Sequence, residues 1–181
     1  MEEITLKPEE LLEKMKKMTV LETLSDEDKI KLAQIAVYLK LKHREQIIKE
    51  GEGDTFFYLL LKGKVSVMVE RDGGKEVFID TIRENNLFGE SAIFSDVKRT
   101  ASVFAEGPVE MLRFEKQVFI DFIKDNSAIG IGMLLTMVKN LMKKLREANQ
   151  DIALYREDSY GDEKDASSQF KQVFINLDII D

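Results

Sequence analysis

From Tyr38 onward the apolar residues of this chain stand in runs too short for helices: Leu39 and Leu41, Ile47 and Ile48, Phe56 to Leu61, Val65, Val67 and Val69, then Val77 and Ile79. Side chains of a strand alternate between its faces, so short runs with a period of two mark half-covered strands, and unbroken runs mark strands covered on both sides. Turn-forming clusters separate them: Gly51-Glu52-Gly53-Asp54, Lys62-Gly63 and Arg71-Asp72-Gly73-Gly74. No helix of useful length fits between these strands, which argues against the crossovers of a parallel sheet. The pattern predicts a mainly β domain, an antiparallel barrel or jelly roll flanked by helices. Strand character returns at Thr100 to Ala105 and Val109 to Phe114, divided by Gly107-Pro108.

Helical signals lie on either side. Pro8 suits the first turn of a helix that carries Leu11, Leu12, Met15 and Met18. Ser25 before Asp26, Glu27 and Asp28 is an N-cap with an acidic first turn for a second helix bearing Ile30, Leu32, Ala33, Ile35 and Ala36. After Glu115 the period is helical again, with Val118, Phe119, Phe122 and Ile123 on one face, and Ser127 can cap the last and longest helix. There Ile131, Leu134, Val138, Leu141, Leu145, Ala148, Ile152 and Tyr155 repeat at alternating spacings of three and four, a heptad seam. A helix lying on its own barrel needs a broader stripe, so the seam predicts a homodimer through Leu134, Val138, Leu141, Leu145 and Ile152. Gly130 and Gly132 mark either a flexible joint or small packing positions.

Composition removes whole classes of function. The net charge of −7 and pI near 5 speak against non-specific attraction to nucleic acid or anionic membrane. Zero cysteines exclude disulfides, thiol catalysis and cysteine metal sites. His43, the single histidine, stands between Lys42 and Arg44 with no acidic or histidine cluster, so it reads as a solvated surface residue and no metal site is expected. No Walker pattern, nucleophile elbow or catalytic constellation is present, and no enzyme is expected. The opening MEEITLKPEE lacks the basic and apolar regions of a signal peptide, and a cytoplasmic location without membrane contact is the expectation.

The chemistry concentrates between Leu87 and Ala105, LFGESAIFSDVKRTASVFA. Ser91 to Phe94 can form a single helical turn after Gly89-Glu90, and the N–H groups at the start of such a turn attract an anion. Arg99, nine residues after Glu90, adds a planar guanidinium that can hold a phosphate through two hydrogen bonds, with the Thr100 hydroxyl beside it. Glu90 cannot approach the same phosphate but can accept from a ribose hydroxyl. Phosphate and ribose together describe a nucleotide. The bland alternative is a barrel-end ion pair between Glu90 and Arg99.

Phe88-Gly89-Glu90-Ser91-Ala92 followed by Arg99-Thr100-Ala101 resembles the phosphate-binding cassette of cyclic nucleotide-binding domains, as found in catabolite activators and in protein kinase A regulatory subunits. The resemblance covers roughly residues 21–155 and includes Ile48-Lys49-Glu50-Gly51 and the Gly63 turn. It implies a β-jelly roll. It also implies that Glu90 binds the ribose 2′-hydroxyl and Arg99 the cyclic phosphate, with Gly89, Ser91, Ala92 and Thr100 completing the site. Val67 and Ile79 sit where family members line the pocket. In the catabolite-activator branch the base is touched from the long helix, here at Ala148 and Asn149, and only Asn149 has an amide that can pair with an adenine edge. Three positions depart from the family pattern: Glu45 and Asn85 where glycine is frequent, and Lys98 where proline often precedes the arginine. Thr100 occurs with either ligand, so cAMP or cGMP is implied, with cAMP favoured.

The domain reading is 1–37 N-terminal helices, 38–126 jelly roll with cassette 87–105, 127–156 dimerisation helix, and 157–181 acidic linker and apolar tail. It predicts a sensor that couples cyclic-nucleotide binding to movement of its C-terminal helix and acts on an unknown downstream protein. Two alternatives stand beside it: a ligand-free dimeric scaffold, and a fragment of a transcription regulator. The stretch after Arg156 is too short for a winged helix-turn-helix, so no direct nucleic-acid contact is expected.

Overall fold

The structure is a computed structural model that describes residues 1–71, 74–94 and 98–159, with side chains described to residue 154. The Asp72-Gly73 turn, the Tyr155 side chain at the end of the seam, and the acidic stretch and apolar tail from residue 160 lie outside that description. A first compact unit comprises Met1–Asn140 and a second begins at Leu141.

Two antiparallel sheets face each other in the first unit. One has the order β1 (Glu2–Ile4), β2 (Val37–Leu41), β9 (Val109–Glu115), β4 (Phe56–Lys62), β7 (Asn86–Phe88). The other has the order β3 (Gln46–Ile48), β8 (Ser102–Ala105), β5 (Lys64–Arg71), β6 (Lys75–Arg83). This is the expected jelly roll with flanking helices. The helices are α1 (Pro8–Met15), α2 (Asp26–Ala33), the single turn α3 (Ser91–Phe94), α4 (Lys116–Asp125) and α5 (Ser127–Ser159). Ser25 caps α2 as its sequence requires: its hydroxyl accepts from the Asp28 N–H at 3.1 Å while the Asp28 carboxylate accepts from the Ser25 N–H at 3.3 Å. Among the described residues, no helix is long and apolar enough to cross a membrane.

The strand β4, in the interior of the first sheet, is buried on both faces, which explains its unbroken apolar run. Phe57 and Leu59 join Leu112, Phe114 and Leu87 in a core shared with the helices, through Leu11, Met15, Leu21, Leu32, Phe119, Ile129, Met133 and Met137. Their neighbours Tyr58 and Leu60 point the other way, into a barrel interior with Met111, Phe88, Val65, Val103 and Ile48. Aromatic contacts tie the helical core together: Phe57 stacks on Phe114 with ring centroids 4.9 Å apart and meets Phe119 edge-on at 5.0 Å. Removing a side chain such as Phe57 from this setting costs about 3–5 kcal/mol.

Several details depart from the sequence reading. The strand β1 was not foreseen; it pairs with β2, and its Glu3 carboxylate accepts from Arg113 at 2.6 Å. Val118 is exposed rather than part of the α4 core face, which Phe119 anchors. On α5 the core-facing residues are Ile129, Met133 and Met137, with the seam's Leu134 partly packed beside them. Leu134 therefore belongs to intramolecular packing, whereas Ile131, Val138, Leu141, Leu145 and Ile152 are exposed. Gly130 is a packing position and not a loose joint, because a Cβ there would stand 2.7 Å from Ile123 Cβ on α4. The strand β6 is an edge, and its Val77, Phe78 and Ile79 are exposed.

Candidate functional site

The cassette is built from three successive pieces. The edge strand β7 ends at Phe88, the chain turns at Gly89, and the single turn α3 follows Glu90. Gly89 has φ +73, a left-handed conformation that side chains disfavour. The space is also tight, since a Cβ there would lie 3.2 Å from Arg99 Nη1, 3.2 Å from the Phe56 carbonyl and 3.3 Å from Ile48 Cδ1. The Gly89 carbonyl accepts from the Ala92 N–H at 3.2 Å and from Arg99 Nη1 at 3.0 Å, which ties the start of α3 directly to the arginine. SAIF is thus the helical turn that the sequence left open, with Ala92 buried beneath it.

Two charged residues of the cassette, Glu90 and Arg99, are withdrawn from solvent: Glu90 is 3% exposed and Arg99 6%. A charge buried to that degree is costly unless its hydrogen-bonding groups are used. For Arg99 the partner is Asp54. Nε donates to Asp54 Oδ2 at 3.0 Å, and Nη2 donates both to Asp54 Oδ1 and to the Phe56 carbonyl. The backbones run together as well, with the Arg99 N–H donating to the Glu52 carbonyl and the Gly51 N–H to the Arg99 carbonyl, each at 2.8 Å.

A guanidinium has five N–H donors. Among the described residues four are engaged, two by the Asp54 carboxylate and two by backbone carbonyls, and one N–H on Nη1 remains. The sequence reading gave two guanidinium donors to a phosphate; the structure gives the bidentate edge to Asp54. Asp54 had been read only as part of a turn. Its position two residues before Phe56, whose N–H it accepts at 3.0 Å, is a local turn signal that says nothing of Arg99.

The other residues singled out are distributed around this centre. Ser91 opens α3 and is exposed, and Thr100 follows Arg99 and is exposed. Val67 on β5 is partly buried against the barrel interior. Ile79 on β6 is 51% exposed at a break in register, where Val67 pairs with Asp80 but Met68 pairs with Phe78, leaving Ile79 as the extra residue of a bulge. Asn149 lies on α5 in the second unit, half-exposed.

The departures from the family pattern have structural readings. Asn85 takes the left-handed conformation itself, at φ 70. Near Glu45 the left-handed residue is Arg44, at φ 66, and the Glu45 carboxylate accepts from the Lys42 N–H at 2.7 Å. His43, although exposed, is not idle: its Nδ1 accepts from the Gly107 N–H at 3.0 Å. Among the described residues, no group of three or more histidines, cysteines or acids is placed to hold a metal ion.

Tyr58 pairs with Phe88 across β4 and β7 and stacks on it at 5.0 Å. Burial pushes its phenol up to about 12, and the nearby Asp54 charge adds to the rise.

A buried carboxylate and a buried guanidinium thus stand within one cassette on a jelly roll. Residues 38–126 match the family model described as "Cyclic nucleotide-binding domain", and this part of the chain belongs to that family. The chain is 32% identical over 102 residues to the cAMP-dependent protein kinase type II regulatory subunit of Drosophila melanogaster, a match that spans 56% of this chain and 27% of that protein's length. Among solved structures, a cyclic nucleotide-binding domain from Methylobacillus flagellatus superposes with a TM-score of 0.71 at 20% identity, covering 82% of this chain and 83% of the other. The regulatory domain of Toxoplasma gondii PKA with cAMP gives 0.62 at 20% identity, covering 78% and 50%. The Thermus thermophilus catabolite activator protein gives 0.62 at 22%, covering 75% and 62%. At these identities the structural likeness shows the fold.

Proposed function

We propose that this chain is a cytosolic regulatory module that binds a cyclic nucleotide, cAMP in preference to cGMP, and that its role is binding and not catalysis. The observation that carries the reading is the burial of Glu90 and Arg99, at 3% and 6% exposure, within one cassette. Glu90 takes the ribose hydroxyl. Arg99, with its remaining Nη1 donor and its charge, takes the phosphate. The relatives whose names include cAMP support the choice of ligand. Binding is coupled to α5 because Leu87, next to the cassette, shares a core with Ile129, Met133 and Met137. The exposed residues Val138, Leu141, Leu145 and Ile152 form the face through which two copies pair and signal to a further protein.

A second reading, a ligand-free scaffold, is favoured by one observation: Asp54 already neutralises Arg99, so the arginine is stable with no anion present. Calorimetry with cAMP and cGMP separates the two. Binding is expected for wild type and is expected to fall more than a hundredfold in Arg99→Ala, by loss of a charge-assisted contact and the charge itself. Glu90→Gln should lose about tenfold. Absence of heat with either nucleotide rejects the sensor and leaves the scaffold.

A further inference from the structure

The strand that delivers the cassette is weak by itself. The strand β7 has three residues and one neighbour, pairing Asn86, Leu87 and Phe88 with Leu60, Leu59 and Tyr58 of β4. So short an edge strand has little intrinsic stability. Yet it leads directly into Gly89, whose carbonyl holds Arg99, and into the buried Glu90.

Two side-chain amides from outside the sheet fasten it. Before the strand, Asn85 adopts φ 70, where glycine would be the less strained residue. Both ends of its amide are engaged: Oδ1 accepts from the Val20 N–H at 3.2 Å and Nδ2 donates to Thr19 Oγ1, both on the short 3-10 turn Thr19–Leu21 between α1 and α2. Within the strand, the Leu87 carbonyl accepts from Asn140 Nδ2 on α5 at 2.9 Å. The two anchoring elements, the 3-10 turn through Leu21 and α5 through Ile129, Met133 and Met137, share the buried core with the Leu87 side chain.

We propose that Asn85 and Asn140 are positioning residues of the cassette. Together they clamp β7 between the N-terminal turn and α5, and so set where Gly89 and Glu90 stand and how tightly the site binds. The proposal rests on the reading of the cassette as a cyclic-nucleotide site, but its mechanical part does not require a ligand. Asn85→Gly isolates the amide, because glycine accepts the left-handed backbone without strain. Asn140→Ala removes the other clamp from a partly exposed helix position.

The test measures three things on the full chain: amide hydrogen exchange over 86–90 without nucleotide, cAMP affinity by calorimetry, and the urea midpoint. Each variant should exchange about tenfold faster over 86–90, with β2 and β9 unchanged. Each should bind cAMP about threefold to tenfold more weakly, while the midpoint moves far less than affinity does. In wild type, nucleotide should slow exchange over 129–137 of α5, and in Asn140→Ala that slowing should be largely lost. Wild-type exchange over 86–90 in both variants, or affinities within twofold of wild type in a protein that binds cAMP, overturns the clamp. Should wild type bind no nucleotide, the functional reading fails, and the exchange over 86–90 still decides whether the two amides hold the strand.

Discussion

The Asp54 carboxylate lies along one edge of the Arg99 guanidinium and takes hydrogen bonds from both Nε and Nη2. The pair is lopsided in exposure, with the Arg99 side chain at 4% and that of Asp54 at 22%. Asp54 is thus both the support of the arginine and a competitor for its donors.

Replacing Asp54 with alanine leaves a buried cation without its counter-charge, and the folded state should lose roughly 2–4 kcal/mol in the absence of nucleotide. An anion can supply the missing charge. By linkage, a saturating cyclic nucleotide should stabilise Asp54→Ala more than it stabilises wild type. Urea unfolding of both proteins with and without cAMP measures the two differences; an equal ligand-induced shift contradicts the competition.

A second polar cluster fastens α1 to the sheet and carries a pH signature. Glu110 on β9 accepts from Lys14 Nζ and from the Tyr38 hydroxyl, both at 2.6 Å. Burial works to raise the Glu110 carboxyl, but the bonds from Lys14 and Tyr38 outweigh it and hold it below its ordinary 4.5. Lys14 is raised above 10.5, chiefly by its bond to Glu110, and the Tyr38 phenol is pushed up to about 12, chiefly by burial. A depressed carboxyl contributes stability above its unfolded pKa and loses it as pH falls through the folded value. The raised lysine loses its contribution only as pH climbs past 10.5. Glu110→Gln should therefore cost about 1 kcal/mol at neutral pH, with the gap from wild type narrowing as pH falls below 4.5. Urea midpoints between pH 3 and 8 report it, and a gap of constant size throughout contradicts the assignment.

The exposed seam on α5 makes its own prediction. Leu145 is 61% exposed and Ile152 54%. If two copies pair there, Leu145→Asp should turn a dimer into a monomer with the urea midpoint of the first unit unchanged, since its core uses Met133 and Met137 instead. Sedimentation equilibrium reads the mass directly. A wild-type monomer at high micromolar concentration rejects the pairing.

Local signals carried most of what the sequence revealed. Ser25 and Asp28 are three residues apart and cap each other, so the start of α2 needed no tertiary knowledge. Gly89-Glu90 and Arg99-Thr100 stand within one short segment, so their grouping needed no long-range contact to be seen. Contacts between distant segments were illegible. Asp54 meets Arg99 across 45 residues and Asn140 meets Leu87 across 53, and neither aspartate in a turn nor asparagine on a helix announces such a partner. The strand β1 is three residues long, shorter than any period can register. On α5 the heptad spacing runs beside a second, core-directed face at Ile129, Met133 and Met137, which overlaps the apolar pattern of the seam and is masked by it.

The exposed edge at β6 has a consequence for how the protein behaves in concentrated solution. Val77, Phe78 and Ile79 present apolar surface on a strand with an open hydrogen-bonding side, the arrangement that invites strands of other copies to add on. Lys75 and Glu76 before them and Asp80 after them are exposed charges that oppose such stacking. Neutralising these three side chains would leave the fold's stability almost untouched and would show first as lost solubility.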